Sequence, residues 1–508
     1  MYELLKKLFG IDYRALAVFR ILIGLLLIIE ILFEQLGDLA SLYTDEGILP
    51  RQLIIALSQA SFPWRISIHL ANGNYFFQLF LTIVQLIFAF WLCIGYRTKL
   101  ATFISWYFIT SVLGRTLFIF NGGDYLLRLL LFWSIFTPLG KVWSIDSFLL
   151  KKNTNNKNQE TISFAAGTAA LLFQMFLLYF FSGLIKSRET GWISGDAVYY
   201  SLNIDYLTTP LGNWLGKFPE ISEPLSYATI CIELIGAVLL FSPLFTNFFR
   251  YLSIILFLGL QVGFYLCMAP AVGLFPFVST IGIIPFLPSN FWNYLSSLSI
   301  KNIVQNLFNK IQSNKVFIQI ISQLKPPTDR IIDNKYKITG NILILFFMLY
   351  CLVSNLSVIY PSKIRIPSQL SFIGGILHLD QGWNMFEKPN GFYTFWNVYL
   401  AKLKNGKQLD LFQNTEKINW QKPKNLAQYY RNSHWNCLSA AINSTYKDYL
   451  PAYLADYLCR NWNTKHKLIE EKMTEMEIYN MSQAPSPPEE KGIPAEIQKS
   501  LLYKYKCP

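Results

Sequence analysis

The residues best placed to do chemistry lie at the end of one apolar run. Leu177-Leu178-Tyr179-Phe180-Phe181-Ser182-Gly183-Leu184-Ile185 delivers Lys186, Trp192 follows within two turns, and Gly195 comes after it. Tyr179, Gly183 and Lys186 share roughly one helical face. An amine at the edge of a low-dielectric slab is costly when charged, so its proton affinity is open to tuning and it can serve as a base. The same position also suits a lysine that snorkels to the lipid interface as an anchor. Both readings stand at this point.

Further ionisable residues fall within or beside apolar runs: Arg20, Glu30, Arg115, Asp124, Arg128 and Glu233. Each must be paired or face water. They either fix helix packing as buried ion pairs or line a polar cavity for an anionic or carboxylate-bearing ligand. Asp124 and Arg128 are four apart and are expected to pair on one helical face, which would leave Arg115 free for an anion.

Positioning these residues requires membrane-spanning helices. Of 508 residues, 53% are hydrophobic and only 15% are charged, against about 25% charged in soluble domains. The composition implies an all-α polytopic membrane protein. Nine spans are expected: about 14–36, 75–96, 100–120, 125–139, 162–185, 224–245, 251–268, 272–286 and 338–360. The net charge of +13 has a simple source in cytoplasmic loops. The basic segments 1–13, 97–99, 141–160, around Arg250, and 299–337 all fall on one side if the nine spans alternate. The charge bias then places the N-terminus in the cytoplasm and the C-terminus outside. No basic stretch is interleaved with aromatics, so nucleic acid is not expected as a partner.

The expected organisation is a transmembrane domain over 1–298, a basic cytoplasmic loop over 299–337, a last helix over 338–360, a small α+β extracytoplasmic domain over 361–480 and a loose tail over 481–508. Lys404-Asn405-Gly406 between two strand-like runs marks a hairpin. Residues 426–476 read as largely helical, interrupted at Pro451. If this part lies outside, Cys437 and Cys459 could pair, leaving Cys507 over. There is no Cys/His cluster, so no metal is expected. His69 and His434 read as surface residues, and Trp383, Trp396 and Trp462 as core aromatics of the outer domain.

Four stretches together resemble the HTTM family, the membrane domain related to vitamin K-dependent gamma-carboxylase. They are Phe19-Arg20-Ile21-Leu22-Ile23-Gly24 with Asp38 and Tyr43–Pro50; Gly123-Asp124 and Leu127-Arg128 with Trp143-Ser144-Ile145-Asp146; Tyr179-Phe180, Gly183, Lys186, Trp192 and Gly195; and Gly273-Leu274-Phe275-Pro276 with Leu287-Pro288-Ser289 and Phe291-Trp292. The resemblance covers about residues 10–295. It implies an enzyme that couples oxidation of a reduced quinone to proton abstraction from, and carboxylation of, a secreted or membrane substrate, with Lys186 as the base. From the intramembrane charges themselves, and not from the resemblance, Arg115, Asp124, Arg128, Arg20 and Glu233 are expected to line the substrate or cofactor site, in a protein of a bacterial plasma membrane. Two features depart from the carboxylase. The outer domain is much smaller, and the seventh span carries no histidine around Gly263 to Tyr265. A non-catalytic membrane partner in peptide export or maturation is the alternative.

Overall fold

A computed structural model describes residues 1–61, 64–151, 161–268, 272–297, 334–413, 415–426, 429–444, 446–488 and 495–508. The basic segment expected over 299–337 lies almost wholly outside the described residues, as does the part of the 141–160 loop that carries Lys152 and Lys157.

The chain begins with the short helix α1 (Tyr2–Phe9). The bundle follows: α2 (Tyr13–Glu30), α3 (Tyr75–Ile94), α4 (Thr98–Arg115), α5 (Gly122–Ser134), α6 (Ala166–Lys186), α7 (Pro219–Cys231), α8 (Thr246–Met268), α9 (Phe275–Ile283) and α10 (Asn334–Ile359). Each of the nine expected spans is therefore helical. Among the described residues, six helices are long and apolar enough to cross a membrane: Tyr13–Gln35, Tyr75–Ile94, Ala166–Lys186, Pro219–Leu239, Thr246–Met268 and Ile338–Ile359. Large apolar side chains such as Phe33, Phe76 and Ile255 stand exposed on them, as a lipid-facing surface requires. These features mark an integral membrane protein.

Helices α4, α5 and α9 are not in that set. At about 1.5 Å per residue, α5 is too short to cross hydrocarbon about 30 Å thick. It is instead the centre of the bundle: Leu126, Leu127, Leu129 and Leu130 are fully buried. Its start is fixed by a capping box, in which Asn121 Oδ1 accepts from Gly123 N and Asp124 Oδ2 accepts from Asn121 N. Gly24 lets α2 lie against α3, where a Cβ would sit 2.6 Å from the Cys93 nitrogen.

Two of the long helices widen into a π-turn, α2 at Ile31–Gln35 and α7 at Ile232–Gly236. Such turns admit an extra residue and re-aim the side chains around them. Both sit where an intramembrane acid occurs, beside Glu30 and Glu34 and at Glu233.

After α10 comes α11 (Ser371–Leu377), and the chain then returns to the bundle. Leu379, Gln381 and Trp383 are buried there. Gln381 donates to Gln174 Oε1 and Trp383 Nε1 donates to Gln381 Oε1. Trp383 is thus a bundle residue, where an outer-domain core residue was expected.

The remaining chain builds a four-stranded antiparallel sheet from β1 (Thr394–Leu403), β2 (Gln408–Asp410), β3 (Met473–Gln483) and β4 (Gln498–Lys506), ordered β2-β1-β3-β4. The β1–β2 hairpin turns at Gly406, whose φ of +83° a side chain disfavours. Helices α12 (Ser433–Ile442) and α13 (Leu450–Lys465) cover the sheet. Pro451 starts α13, where its missing N–H costs nothing, and does not break it. Three expectations fail here. Residues 473–476, expected to end a largely helical stretch, open the strand β3, and the supposed loose tail supplies β4, held by pairing along β3. The disulfide joins Cys459 to Cys507, not to Cys437, because β4 brings the chain end beside α13. Cys437 stays a free thiol.

The Cys459–Cys507 bond closes a loop 48 residues apart, which in the chain-entropy view stabilises by about 4 kcal/mol. Cys459→Ser should therefore lower the thermal midpoint of this region and expose residues 495–508 to limited proteolysis. Cys437→Ser should leave both unchanged.

Candidate functional site

Lys186 is the last residue of α6 and is buried, its side chain 4% exposed. Its Nζ lies 2.8 Å from Glu233 Oε1 and 2.9 Å from Oε2, and it also donates to Ser182 Oγ one turn back. The pairing depends on close helix approach. Gly183 faces α7 so tightly that a Cβ there would meet Leu234 at 2.9 Å and Glu233 at 3.0 Å. The π-turn carries Glu233 inward at that contact. The Trp192 ring lies 5.4 Å from Nζ, and Trp192 Nε1 donates to the Phe386 carbonyl at 2.8 Å. The segment that re-enters the bundle is thereby tied to the lysine.

Two turns deeper along the same face, Tyr179 OH is 2.7 Å from Ser279 Oγ and accepts from Gln261 Nε2 at 3.2 Å. Its ring stacks on Phe257. The predicted face of Tyr179, Gly183 and Lys186 exists and points into protein, not lipid. That geometry excludes a simple snorkelling anchor, since the ammonium contacts a carboxylate inside the bundle.

Beside the pair lies a cavity of about 240 Å³. Its walls are apolar, including Leu202, Ile232, Phe264, Met268 and Phe386, and Lys186 is its charged group. Gly259 and Gly263 line it one turn apart on α8, and a Cβ on either would meet nothing within 4 Å. Apolar cavities of about 150 Å³ have room for benzene, and this one is larger.

The other predicted site residues are not gathered here. Arg20 sits at the opposite end of the bundle, where its guanidinium donates to the carbonyls of Leu139 and Trp143. Arg115 is fully buried and donates to Thr44 O at 3.3 Å. Beside it, burial and then the Arg115 charge pull His69 down to about 3. His69 is thus a buried neutral ring bonded to Ser111 Oγ at 2.7 Å, where a surface residue was expected. Asp124 and Arg128 do not pair. Asp124 is held by its capping role, while Arg128 donates to Asp380 O and lies 3.4 Å from His378 Nδ1. Helical spacing allowed the pair, but the inserted segment captured the guanidinium.

Residues 10–292 match the HTTM domain family. The chain belongs to that family. It is related to the vitamin K-dependent gamma-carboxylase. No solved structure matches the chain. The HTTM region thus contains Lys186, Glu233, Gly259 and Gly263, whereas Phe386 comes from beyond it. Ser182, which holds Nζ, stands at i, i+4 spacing from Lys186, a signal present in the sequence itself.

Breaking a buried ion pair by removing one partner costs about 3–5 kcal/mol, whereas replacing both by apolar residues is often neutral. Glu233→Leu alone should destabilise the HTTM region by that amount, and adding Lys186→Met should recover most of it. Thermal unfolding of the single and double variants in detergent measures the coupling.

Proposed function

We propose that this protein is a membrane enzyme in which Lys186 and Glu233 together accept a proton from a lipid-soluble acid of the reduced-quinone class. On this reading it serves a quinol-coupled carboxylation or related modification of a secreted or membrane substrate. The observation that carries it is the buried Lys186–Glu233 pair opening onto an apolar cavity. The residues present fit such a group: Phe264 and Phe386 would flank its ring, and Gly259 and Gly263 leave it room. Bound there, a reduced quinone would supply an acidic hydroxyl and two reducing electrons.

The pair acts as one proton-holding unit. An ammonium held by a carboxylate is a poor base. Transfer of its proton from Nζ to a Glu233 oxygen leaves a neutral amine beside a neutral acid and moves no net charge. The amine can then take a proton from a ligand, and Ser182 Oγ keeps Nζ aimed. Apolar walls exclude water, which would otherwise compete for that proton.

The orientation in the membrane belongs to the same reading. Arg250 donates to Leu8 O, Asp146 accepts from Arg97 N, and Ile11 pairs with Ser163. The basic segments near residues 7, 97, 141 and 250 thus gather at one end of the bundle, which supports a cytoplasmic N-terminus. Lys186 and the sheet then lie toward the outer face of a bacterial plasma membrane.

Arginine keeps the positive charge but has no accessible neutral form. Lys186→Arg should abolish the modification, seen by mass spectrometry as loss of an added carboxyl group on co-expressed exported proteins. Full cellular activity in that variant rejects the base and favours a non-catalytic partner in peptide export or maturation. Gly259→Leu should fill the cavity and likewise remove activity, while leaving the thermal midpoint unchanged.

A further inference from the structure

A second group of charges, where the loop before α3 meets the segment after α10, is not used by the reading above. Arg128 projects from α5 and Arg65 from that loop. Both side chains are buried, 1% and 7% exposed, and they meet over one carboxylate. Asp380 Oδ2 accepts from Arg65 Nη2 at 3.3 Å, and Oδ1 lies 3.8 Å from Arg128 Nη2. The second distance is beyond hydrogen-bond reach.

Arg128 is therefore poorly compensated. Among the described residues, Asp380 is the one carboxylate in ion-pair range of it, and Arg128 Nε has no hydrogen-bond partner. A buried arginine in a membrane bundle normally holds its counter-ion closely or faces water. The Asp380 side chain cannot close the gap, because its own carbonyl already accepts from Arg128 Nη2 and tethers it. The side chain is 41% exposed, so the spot between the two Nη2 atoms is reached from outside.

His378 makes the turn that puts Asp380 there. It ends α11 with φ +52°, in the left-handed region that a side chain disfavours. Its buried ring lies against the same guanidinium, Nδ1 3.4 Å from Nη1. Backbone strain of this kind clusters at ligand clamps, where surrounding contacts enforce it.

The surface beside the two arginines is apolar. Trp64 and Ile66 flank Arg65 in the chain, Phe372 and Ile376 lie one turn apart on α11, and all four are exposed. The Trp64 ring meets Phe372 edge-on at 6.4 Å. Gly375 lets the two segments touch, since a Cβ there would sit 2.7 Å from that of Trp64. An exposed tryptophan beside arginine and aliphatic side chains suits a membrane–water interface.

We propose that this patch binds one anionic phospholipid. Its phosphate bridges Arg65 and Arg128 where the Asp380 carboxylate stands, and its chains lie on Trp64, Ile66, Phe372 and Ile376. The two free oxygens of a phosphodiester share one negative charge, as a carboxylate does, so one anion still lies between the two cations. Untethered, they approach both Nη2 atoms closely, in the two-point contact that guanidinium favours. Asp380 swings out to water. A zwitterionic lipid fits less well, because its ammonium would lie against the guanidiniums. The site does not depend on the role of Lys186.

Native mass spectrometry of the full chain released from detergent micelles, with phosphatidylglycerol added, tests it. The wild type should retain one phosphatidylglycerol in preference to phosphatidylcholine. Arg65→Gln should lower that retention by about tenfold, through loss of one charge-assisted hydrogen bond. Asp380→Asn should raise it, because the internal competitor is gone. Misfolding cannot produce such a gain, so this variant decides the matter if Arg65→Gln does not fold. Equal retention of the two lipids, no change in a folded Arg65→Gln, or no gain in Asp380→Asn overturns the site. So does displacement of the lipid by inorganic phosphate, since the ligand would then be a free anion.

Discussion

A charge buried in an apolar bundle persists only where a partner holds it, and the contact between Lys186 and Glu233 is where this structure meets that demand most fully. Two helices must approach closely for it to form. Gly183 removes the side chain that would hold them apart, and the π-turn of α7 re-aims the acid. The ion pair, the glycine and the turn are therefore one device. Gly259 and Gly263 of α8 line the cavity beside that device without filling it.

The same constraint explains the other intramembrane charges, with a different solution each time. Arg20 spends its donors on carbonyls at the chain turn after α5. Arg128 reaches a segment that enters the bundle from 250 residues later in the chain. Among the described residues, Glu30 and Asp124 make no ion pair, and the neighbouring Glu34 is held by Ser433 in the first turn of α12. What divides these sites is whether the neighbouring backbone can supply the missing partner.

The sheet region is more than an appendage. Its leading segment places Gln381 and Trp383 in the bundle core and Phe386 in the cavity wall. Its helix α12, in which His434 is buried and not at the surface, holds Glu34 and Asp38. Both buried polar sites thus need residues from beyond the HTTM region. Separating the two parts would leave carboxylates, a guanidinium and an indole without partners, each costing about 1–3 kcal/mol or more.

Local periodicity and composition were enough to place the helices, the β1–β2 hairpin at Gly406, the family, and Lys186 on a face with Tyr179 and Gly183, because each depends on residues within a turn or two. The capping role of Asp124, the strand at 473–483, the disulfide partner of Cys507 and the burial of His69 were not legible. Each was decided by a competing contact. Asp124 could cap or pair, and Arg128 could pair along its helix or across it. Sequence by itself determined that several charges must lie inside an apolar body. Only the tertiary structure decided which carboxylate meets which cation, because in low dielectric that choice turns on distances of a few ångströms between segments as far apart as residues 34 and 433.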